Sequence, residues 1–511
     1  MNSPRLSALW TAAALAGVCL TLAFAIDGES LFTDEGYTAW LVAHPSLSAM
    51  WRSLYDGDSS ELQMIAYNVY LWLWTRLFGH SEYAMRLANL PFIALFVASI
   101  AAVSRIVLHR RWAWMAVALS PFAAVFVNQC RAYTALVACA AASTGALLAY
   151  IASERFRRAG PWLCLGFLLA GTSFHIMTLT LAPALAVIVI VEARSDWRRW
   201  LADWRRPLLV LVPFYTVAGV YIAWTFAHAS RYKYDAPHPL EPLYTLYKFL
   251  GFWSLGPSNS SVAGAAEWAP AIRYALPVAA GGLLLAAALA HRLSRRALLW
   301  LSAFGVAFAI FVAFSFISGS GLSARHCSAL LPLLLFILLD QTRARWRTAL
   351  LASVWIVSFA RLATLEEYRK DDYRGAVESA ISLARSQGGG IIWAADPLTA
   401  GYYGLRLANP QRLVAYGIDY EQAIARVPWP VKAHGLLGIG AAPPEARILL
   451  DQARAAHGSA ILGIPTRLPF VGLSAFWRRL PSTGDQPTWT RLIDGAPPAA
   501  SFQLLGVYVL K

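Results

Sequence analysis

The sequence predicts a polytopic α-helical membrane protein with about eleven transmembrane helices, followed by a small C-terminal α/β extracytoplasmic domain. Three observations predict it. Apolar runs near the length of about 20 residues that spans a bilayer recur as far as residue 364. Arg-rich clusters fall in every second loop between them. From about residue 365 the apolar density drops and turn punctuation appears, as in Gly388-Gly389-Gly390 and Pro443-Pro444. The chain is 58% hydrophobic and only 14% charged, against about 25% charged in soluble domains. That excludes a soluble chain carrying a single anchor. The net charge of +15 sits in short basic clusters, so it reports topology rather than nucleic-acid binding.

The spans are read at about 7–26, 86–104, 112–128, 132–152, 161–173, 175–192, 207–228, 270–290, 297–317, 326–342 and 348–364. The runs 161–173 and 175–192 are either one long helix or two short ones hinged near Gly171-Thr172-Ser173. Basic clusters mark the cytoplasmic loops: Arg105, Arg110 and Arg111; Arg155, Arg157 and Arg158; Arg194, Arg198, Arg199, Arg205 and Arg206; Arg292, Arg295 and Arg296; Arg343, Arg345 and Arg347. This alternation requires the fifth and sixth spans to be separate. It places the N-terminus inside, as a retained first helix, because Met1 to Ile26 has no convincing cleavage site. The tail falls outside. The chain divides into a transmembrane module, 1–364, and an extracytoplasmic domain, 365–511.

The outer loop 27–85 is too long for a turn. Its second half, Leu62 to Phe78, is aromatic and amphipathic and reads as a helix lying in the membrane interface. In the tail, strand-like runs at Gly390–Ala394, Ala460–Gly463 and Leu504–Val509 alternate with helix-like runs at Tyr373–Ile381 and Glu445–Ala456. Cys19, Cys130, Cys139, Cys164 and Cys327 lie in or beside apolar segments with no metal spacing, and read as free packing thiols.

The chemistry-bearing groups on the outer face are Asp34, Glu35, Asp56, Asp58, Glu61, Arg131, His175, Arg231, Lys233, Asp235, His238, Arg325 and His326. The adjacent carboxylates Asp34-Glu35 read either as a solvated loop or as a working pair near the membrane surface. Arg131 fits a snorkelling helix-end residue as well as an anion ligand. His175 and His326 fit polar caps. Asp56 and Asp58 flank Gly57 and suit a turn. Arg231 and Lys233 suit lipid headgroups. Arg325 precedes a helix, where its charge meets the positive dipole end and favours an anion ligand. A carboxylate base beside cations able to hold a phosphate suits group transfer. No nucleotide-binding motif is present, so an activated group would arrive on a lipid.

Five stretches carry a resemblance. They are Phe32-Thr33-Asp34-Glu35-Gly36-Tyr37, Leu73 to Leu87, Gln129-Cys130-Arg131-Ala132-Tyr133-Thr134-Ala135-Leu136, Ala324-Arg325-His326-Cys327 through Pro332, and Lys370-Asp371-Asp372-Tyr373-Arg374-Gly375-Ala376. In this order the chain resembles the GT-C integral-membrane glycosyltransferases, the branch with protein O-mannosyltransferases (glycosyltransferase family 39) and the lipid A aminoarabinose transferase. The resemblance implies an inverting transfer of a sugar from a polyprenyl-phosphate donor to lipid A, a polysaccharide, a glycolipid or a protein, on the outer face of the cell (inner) membrane. It implies Asp34 as catalytic carboxylate with Glu35 orienting acceptor or base. Arg131, Arg325, Lys233 and Arg231 would serve the donor phosphate, and Tyr37, Asp58, Tyr67, Tyr133, His175 and His326 would line the substrate pocket. No cofactor and no metal are assigned. Two departures stand out. The family's Pro-Pro-Leu-Tyr-like stretch is replaced by Asp58-Ser59-Ser60-Glu61-Leu62, and its acidic residue before Arg-x-Tyr by Gln129 and Cys130. The second leaves Asp34 more solitary. The rival readings are a glycolipid transporter or flippase and a non-catalytic envelope-pathway scaffold. No internal repeat supports a transporter.

Overall fold

The computed structural model describes residues 4–56, 60–110, 112–120, 125–194, 196–229, 242–243, 245–246, 249, 293–318, 325–341, 345–364, 370, 372–387, 390–393, 397–405, 407–409, 414–415, 460–465, 499–501 and 505–510. The first apolar run forms α1 (Pro4–Ala23). The outer loop then folds into α2 (Thr33–Val42), α3 (Leu47–Asp56) and α4 (Ile65–Phe78), with a 3-10 turn at Ser60–Met64. The short α5 (Glu82–Leu87) is capped by the Ser81 hydroxyl, which accepts from the Ala84 amide. Next come α6 (Leu90–Ala102), α7 (Ala113–Ala118), α8 (Tyr133–Ala152), α9 (Gly160–Phe174), α10 (Ala182–Ala193) and α11 (Trp197–Ala229). The helical module closes with α12 (Arg295–Ser318), α13 (Leu331–Gln341) and α14 (Arg345–Thr364).

Among the described residues, five helical stretches are long and apolar enough to cross a membrane: Glu82–Val107, Tyr133–Ala152, Ile176–Ala193, Trp197–Thr225 and Arg295–Ile317. The protein is membrane-embedded. Three stretches differ from the hydropathy reading. Where 112–128 suggests one span, α7 covers only Ala113–Ala118 and ends ahead of Pro121, a residue that breaks helices. The run 161–192 is two helices, parted not at Gly171-Thr172-Ser173 but at His175, whose backbone is extended at φ −157° and ψ 120°. Its ring Nδ1 accepts from the Met177 amide at 3.2 Å and starts a 3-10 turn, Ile176–Leu181. Finally, α11 begins at Trp197 rather than 207 and keeps Pro207 and Pro213 inside. Hydropathy marks only the lipid-immersed part of such a helix. The earlier turns are held by Trp200 and Trp204 packing on Tyr150, with ring centroids 4.7 Å and 5.9 Å away. The run 270–290 and the segment Glu445–Ala456 lie outside the described residues.

The core is organised on α8, buried along almost its whole length between α6 and α9. Small side chains let the helices approach closely. A Cβ at Gly171 of α9 would stand 2.9 Å from Cys139 Cβ and 2.7 Å from Thr178 Cγ2. Between the same helices, the Ser143 hydroxyl donates to the Cys164 carbonyl at 2.8 Å.

The tail holds α15 (Tyr373–Gln387), α16 (Pro397–Tyr402) and strands β1 (Gly390–Trp393), β2 (Leu407–Asn409), β3 (Val414–Ala415), β4 (Ala460–Pro465), β5 (Ala500–Ser501) and β6 (Leu505–Leu510). The sheet order is β2-β3-β1-β4-β6-β5. Among the described residues, β1 and β4 pair in parallel and the other pairs are antiparallel. Tyr373, Ala376, Val377 and Ala380 of α15 join Ile391, Trp393 and Val507 in one apolar cluster.

The tight fit at Gly171 gives a test. Gly171→Val overfills the α8–α9 contact, costs about 1–3 kcal/mol and lowers the Tm in detergent. An unchanged Tm would show that the helices do not close at this point.

Candidate active site

The first turn of α2 carries Asp34 and Glu35, where the helix dipole favours negative charge. Glu35 has no solvent exposure. Arg86 donates through Nε to Oε1 at 3.2 Å and through Nη2 to Oε2 at 3.0 Å. The Cys130 amide donates to Oε1 at 2.8 Å, and Lys370 Nζ to Oε2 at 3.0 Å. Burial alone pushes this carboxyl up; Lys370, Arg86 and the Cys130 amide outweigh it and bring it from the usual 4.5 down to about 2. Burial also pulls the Lys370 ammonium down, against its attraction to Glu35. The remaining donors of Arg86 reach the carbonyls of Asp27 at 3.0 Å, Glu29 at 2.8 Å and Ser30 at 3.2 Å. One arginine thus shapes the whole approach to α2. Both Glu35 oxygens are taken up by these donors, so its part in orienting the neighbouring Asp34 runs through the backbone of α2 rather than through contact with an acceptor.

Asp34 faces the other way. Its carboxylate Oδ2 lies 2.6 Å from Arg325 Nη1, and the two side chains are 33% and 42% exposed. Here a carboxylate and a cation meet where a substrate can reach both. Arg131 is buried beneath them. Its Nη1 donates to the Asp34 carbonyl at 3.1 Å and to the Thr38 hydroxyl at 2.9 Å, and it is ion-paired with Glu61. The Thr38 hydroxyl lies 3.3 Å from Glu61 Oε2. Arg131 is therefore committed to Glu61 and to the α2 backbone. Among the described residues, the cation paired with the Asp34 carboxylate is Arg325.

Tyr133, at the start of α8, forms a wall of this site. Its ring lies 5.3 Å from His175 and 5.0 Å from Phe126, with Arg325 Cζ 6.0 Å from its centroid. Burial, with His326, Arg131 and Arg325 nearby, holds His175 well below the usual imidazole range, so the ring is neutral. His326 is half-buried beside Arg325. Tyr37 is buried with its ring 5.4 Å from Trp40. Tyr67 is buried completely, its hydroxyl 3.5 Å from Asn89 Oδ1, and belongs to the core rather than to a pocket lining. Asn89 in turn donates to the Val127 carbonyl at 3.0 Å and the Gln129 carbonyl at 2.7 Å. Asp58, Arg231 and Lys233 lie outside the described residues. Among the described residues, no group of three or more His, Cys, Asp or Glu side chains is placed to hold a metal.

Three partners escaped the sequence reading, Arg86, Thr38 and Lys370, while Glu61 was read there as an outer-face carboxylate without its partner Arg131. Arg86 and Lys370 lie inside the quoted stretches, but nothing in a linear pattern ties either to Glu35. Glu61 also corrects the picture of a solitary Asp34. The carboxylate missing at Gln129-Cys130 has a counterpart in space, contributed by the 3-10 turn and joined to Asp34 through Arg131.

No protein-family model matches the chain, and no curated protein matches it. Among solved structures, the crystal structure of ArnT from Cupriavidus metallidurans bound to undecaprenyl phosphate aligns over 98% of both chains, at 14% identity and a TM-score of 0.52. The apo structure of the same ArnT aligns over 98% of this chain and 97% of its own, at 14% identity and a TM-score of 0.44. The chain shares the fold of ArnT, a likeness that supports the GT-C glycosyltransferase fold expected from the sequence.

The ion-pair geometry sets the acid response. A lowered carboxyl contributes stability that is complete above pH 4.5 and lost as pH falls through about 2. Glu35→Gln leaves Arg86 and Lys370 buried without their counter-charge and should cost about 3–5 kcal/mol at neutral pH. It should also flatten the acid limb of Tm against pH in that window. An acid limb identical to the wild type would show that Glu35 is not the group titrating.

Proposed function

We propose that the chain is a GT-C glycosyltransferase that moves a sugar from a polyprenyl-phosphate-linked donor to an envelope acceptor on the outer membrane face, with inversion. The observation that carries this reading is the half-buried Asp34–Arg325 pair in an ArnT-like fold. Asp34 is the catalytic carboxylate: it takes the proton from the acceptor hydroxyl or amine. The acceptor atom bonds to the anomeric carbon as the bond from that carbon to the phosphate oxygen breaks. Polyprenyl phosphate leaves, and Arg325 meets its charge through charge-assisted hydrogen bonds. ArnT holds undecaprenyl phosphate in its crystal structure, which supports this class of leaving group. The Asp34–Arg325 pair parts as the donor phosphate takes the arginine, and the Asp34 carboxylate turns to the acceptor.

The remaining assignments follow from that centre. Tyr133, His175 and His326 line the sugar side with Tyr37, and Asp58 is a further substrate-pocket residue. Arg231 and Lys233 are further ligands for the donor phosphate. Arg131 acts from beneath, holding the Asp34 carbonyl rather than the donor. Acceptors in this reading are lipid A, a polysaccharide, a glycolipid or a protein. The catalytic module is 1–364 with about eleven spans, the N-terminus is cytoplasmic, and 365–511 is an extracytoplasmic α/β domain of an inner-membrane enzyme. The reaction is assigned no cofactor and no metal.

Two substitutions test the roles. Asp34→Asn keeps the shape but removes the base, and transfer from a lipid-phosphate sugar should fall by about 10²–10⁴-fold. Near-normal transfer by that variant would remove Asp34 from the mechanism and favour a transporter or scaffold. Arg325→Ala deletes hydrogen bonds to a charged group, each about 1.5–3 kcal/mol. The apparent KM for donor should rise about tenfold to a hundredfold, with little change for acceptor. An unchanged donor KM would reassign the phosphate to other cations.

A further inference from the structure

The tail does not hang beside the outer loop; it is locked to it next to Asp34. Gly36 follows the carboxylate pair directly, and α16 sits on it. A Cβ at Gly36 would stand 2.6 Å from Thr399 Cβ and 2.8 Å from Thr399 Cα, closer than real Cβ atoms approach. Lys370, on the chain leading into the tail, reaches Glu35 and the Asn128 carbonyl. Just beyond it the Arg374 amide donates to the Ser30 hydroxyl at 3.1 Å. The Tyr403 hydroxyl, past the end of α16, accepts from the Leu31 amide at 2.7 Å and donates to Glu82 at 3.0 Å. Backbone, side chain and steric contact therefore all converge on residues 28–36.

We propose that the tail is a positioning element of the transfer site: α16 seated on Gly36, with Lys370 seated on Glu35, fixes the first turn of α2 so that Asp34 faces Arg325. This rests on the reading of Asp34 as the catalytic carboxylate. The mechanism is geometric. Glu35 is held from beneath by Arg86 and Cys130, which belong to the helical module. Lys370, which shares Glu35 Oε2 with Arg86, and Thr399, packed on Gly36, are the tail's own contacts with the turn. Without them Asp34 keeps its chemistry but loses its fixed direction. Turnover, which depends on alignment, then falls more than donor binding.

Gly36→Ala is the diagnostic change. An alanine inside a helix ordinarily stabilises it by about 1 kcal/mol over glycine, so harm here reports the collision with α16. In the full-length protein, kcat should fall by between about tenfold and about a hundredfold, with the donor KM within about twofold. Hydrogen exchange at the amides of residues 33–38 should quicken. Adding Thr399→Gly should recover part of both, only part because the Thr399 Cα also lies too close. Lys370→Met should repeat the pattern, and Lys370→Arg should restore it. If Gly36→Ala does not yield a monodisperse protein, the Lys370 pair carries the same two readouts. Wild-type turnover, wild-type exchange, or no recovery by Thr399→Gly overturns the proposal. Exchange reads the clamp without any sugar transfer. An active Asp34→Asn enzyme therefore refutes the catalytic reading separately from the exchange result.

Discussion

The fully buried carboxylate of Glu35 is the constraint on which the outer half of this protein depends. A carboxylate out of water is tolerable only when its lone pairs are met by well-placed donors and its charge is balanced. Here the donors come from three places: Arg86 on α5, the Cys130 amide ahead of α8, and Lys370 leading into the tail. Separating any one of them leaves a buried charge behind. The cluster therefore acts as a specification of which segments meet, more than as a source of net stability.

That constraint explains why two neighbouring carboxylates have opposite fates. Successive residues of an α-helix point about 100° apart. With Glu35 pinned inward, Asp34 is turned toward solvent and Arg325. The inward residue fixes the helix; the outward one meets the cation of Arg325. Glu61 and Arg131 support the same turn from a third direction, through Thr38 and the Asp34 carbonyl.

Much of the fold was legible because hydropathy and charge report on a solvent with two phases. The runs at 132–152 and 297–317 became α8 and α12 with nearly the expected ends, because lipid immersion and helix length coincide there. They do not coincide in α11, whose first turns are held by aromatic packing on Tyr150, nor at α7, where Pro121 intervenes. At the site, Asp34, Arg325, Tyr133 and His175 were legible as residues of suitable type at helix ends. The division of labour between Asp34 and Glu35 was not. It depends on Arg86, 51 positions away in sequence, and on Lys370, 335 positions away. No periodicity encodes a meeting at that separation. The same holds for Glu61, whose partner Arg131 is 70 positions off.

The helix α8 also carries a measure of depth. Tyr133 at one end touches the candidate site, and Tyr150 near the other end bears the Trp200–Trp204 ledge. At 1.5 Å per residue the two tyrosines stand about 26 Å apart along the axis, close to the hydrocarbon thickness of about 30 Å. Indole rings settle at the boundary between hydrocarbon and water, and salt bridges from Arg157 and Arg199 to Asp203 crowd the same ledge. A ledge of that kind fixes where one bilayer surface meets the protein. The rigid rod of α8 then carries that level across to the other surface. In the proposed function Asp34 would then stand at the waterline, where a lipid-borne phosphate group would float.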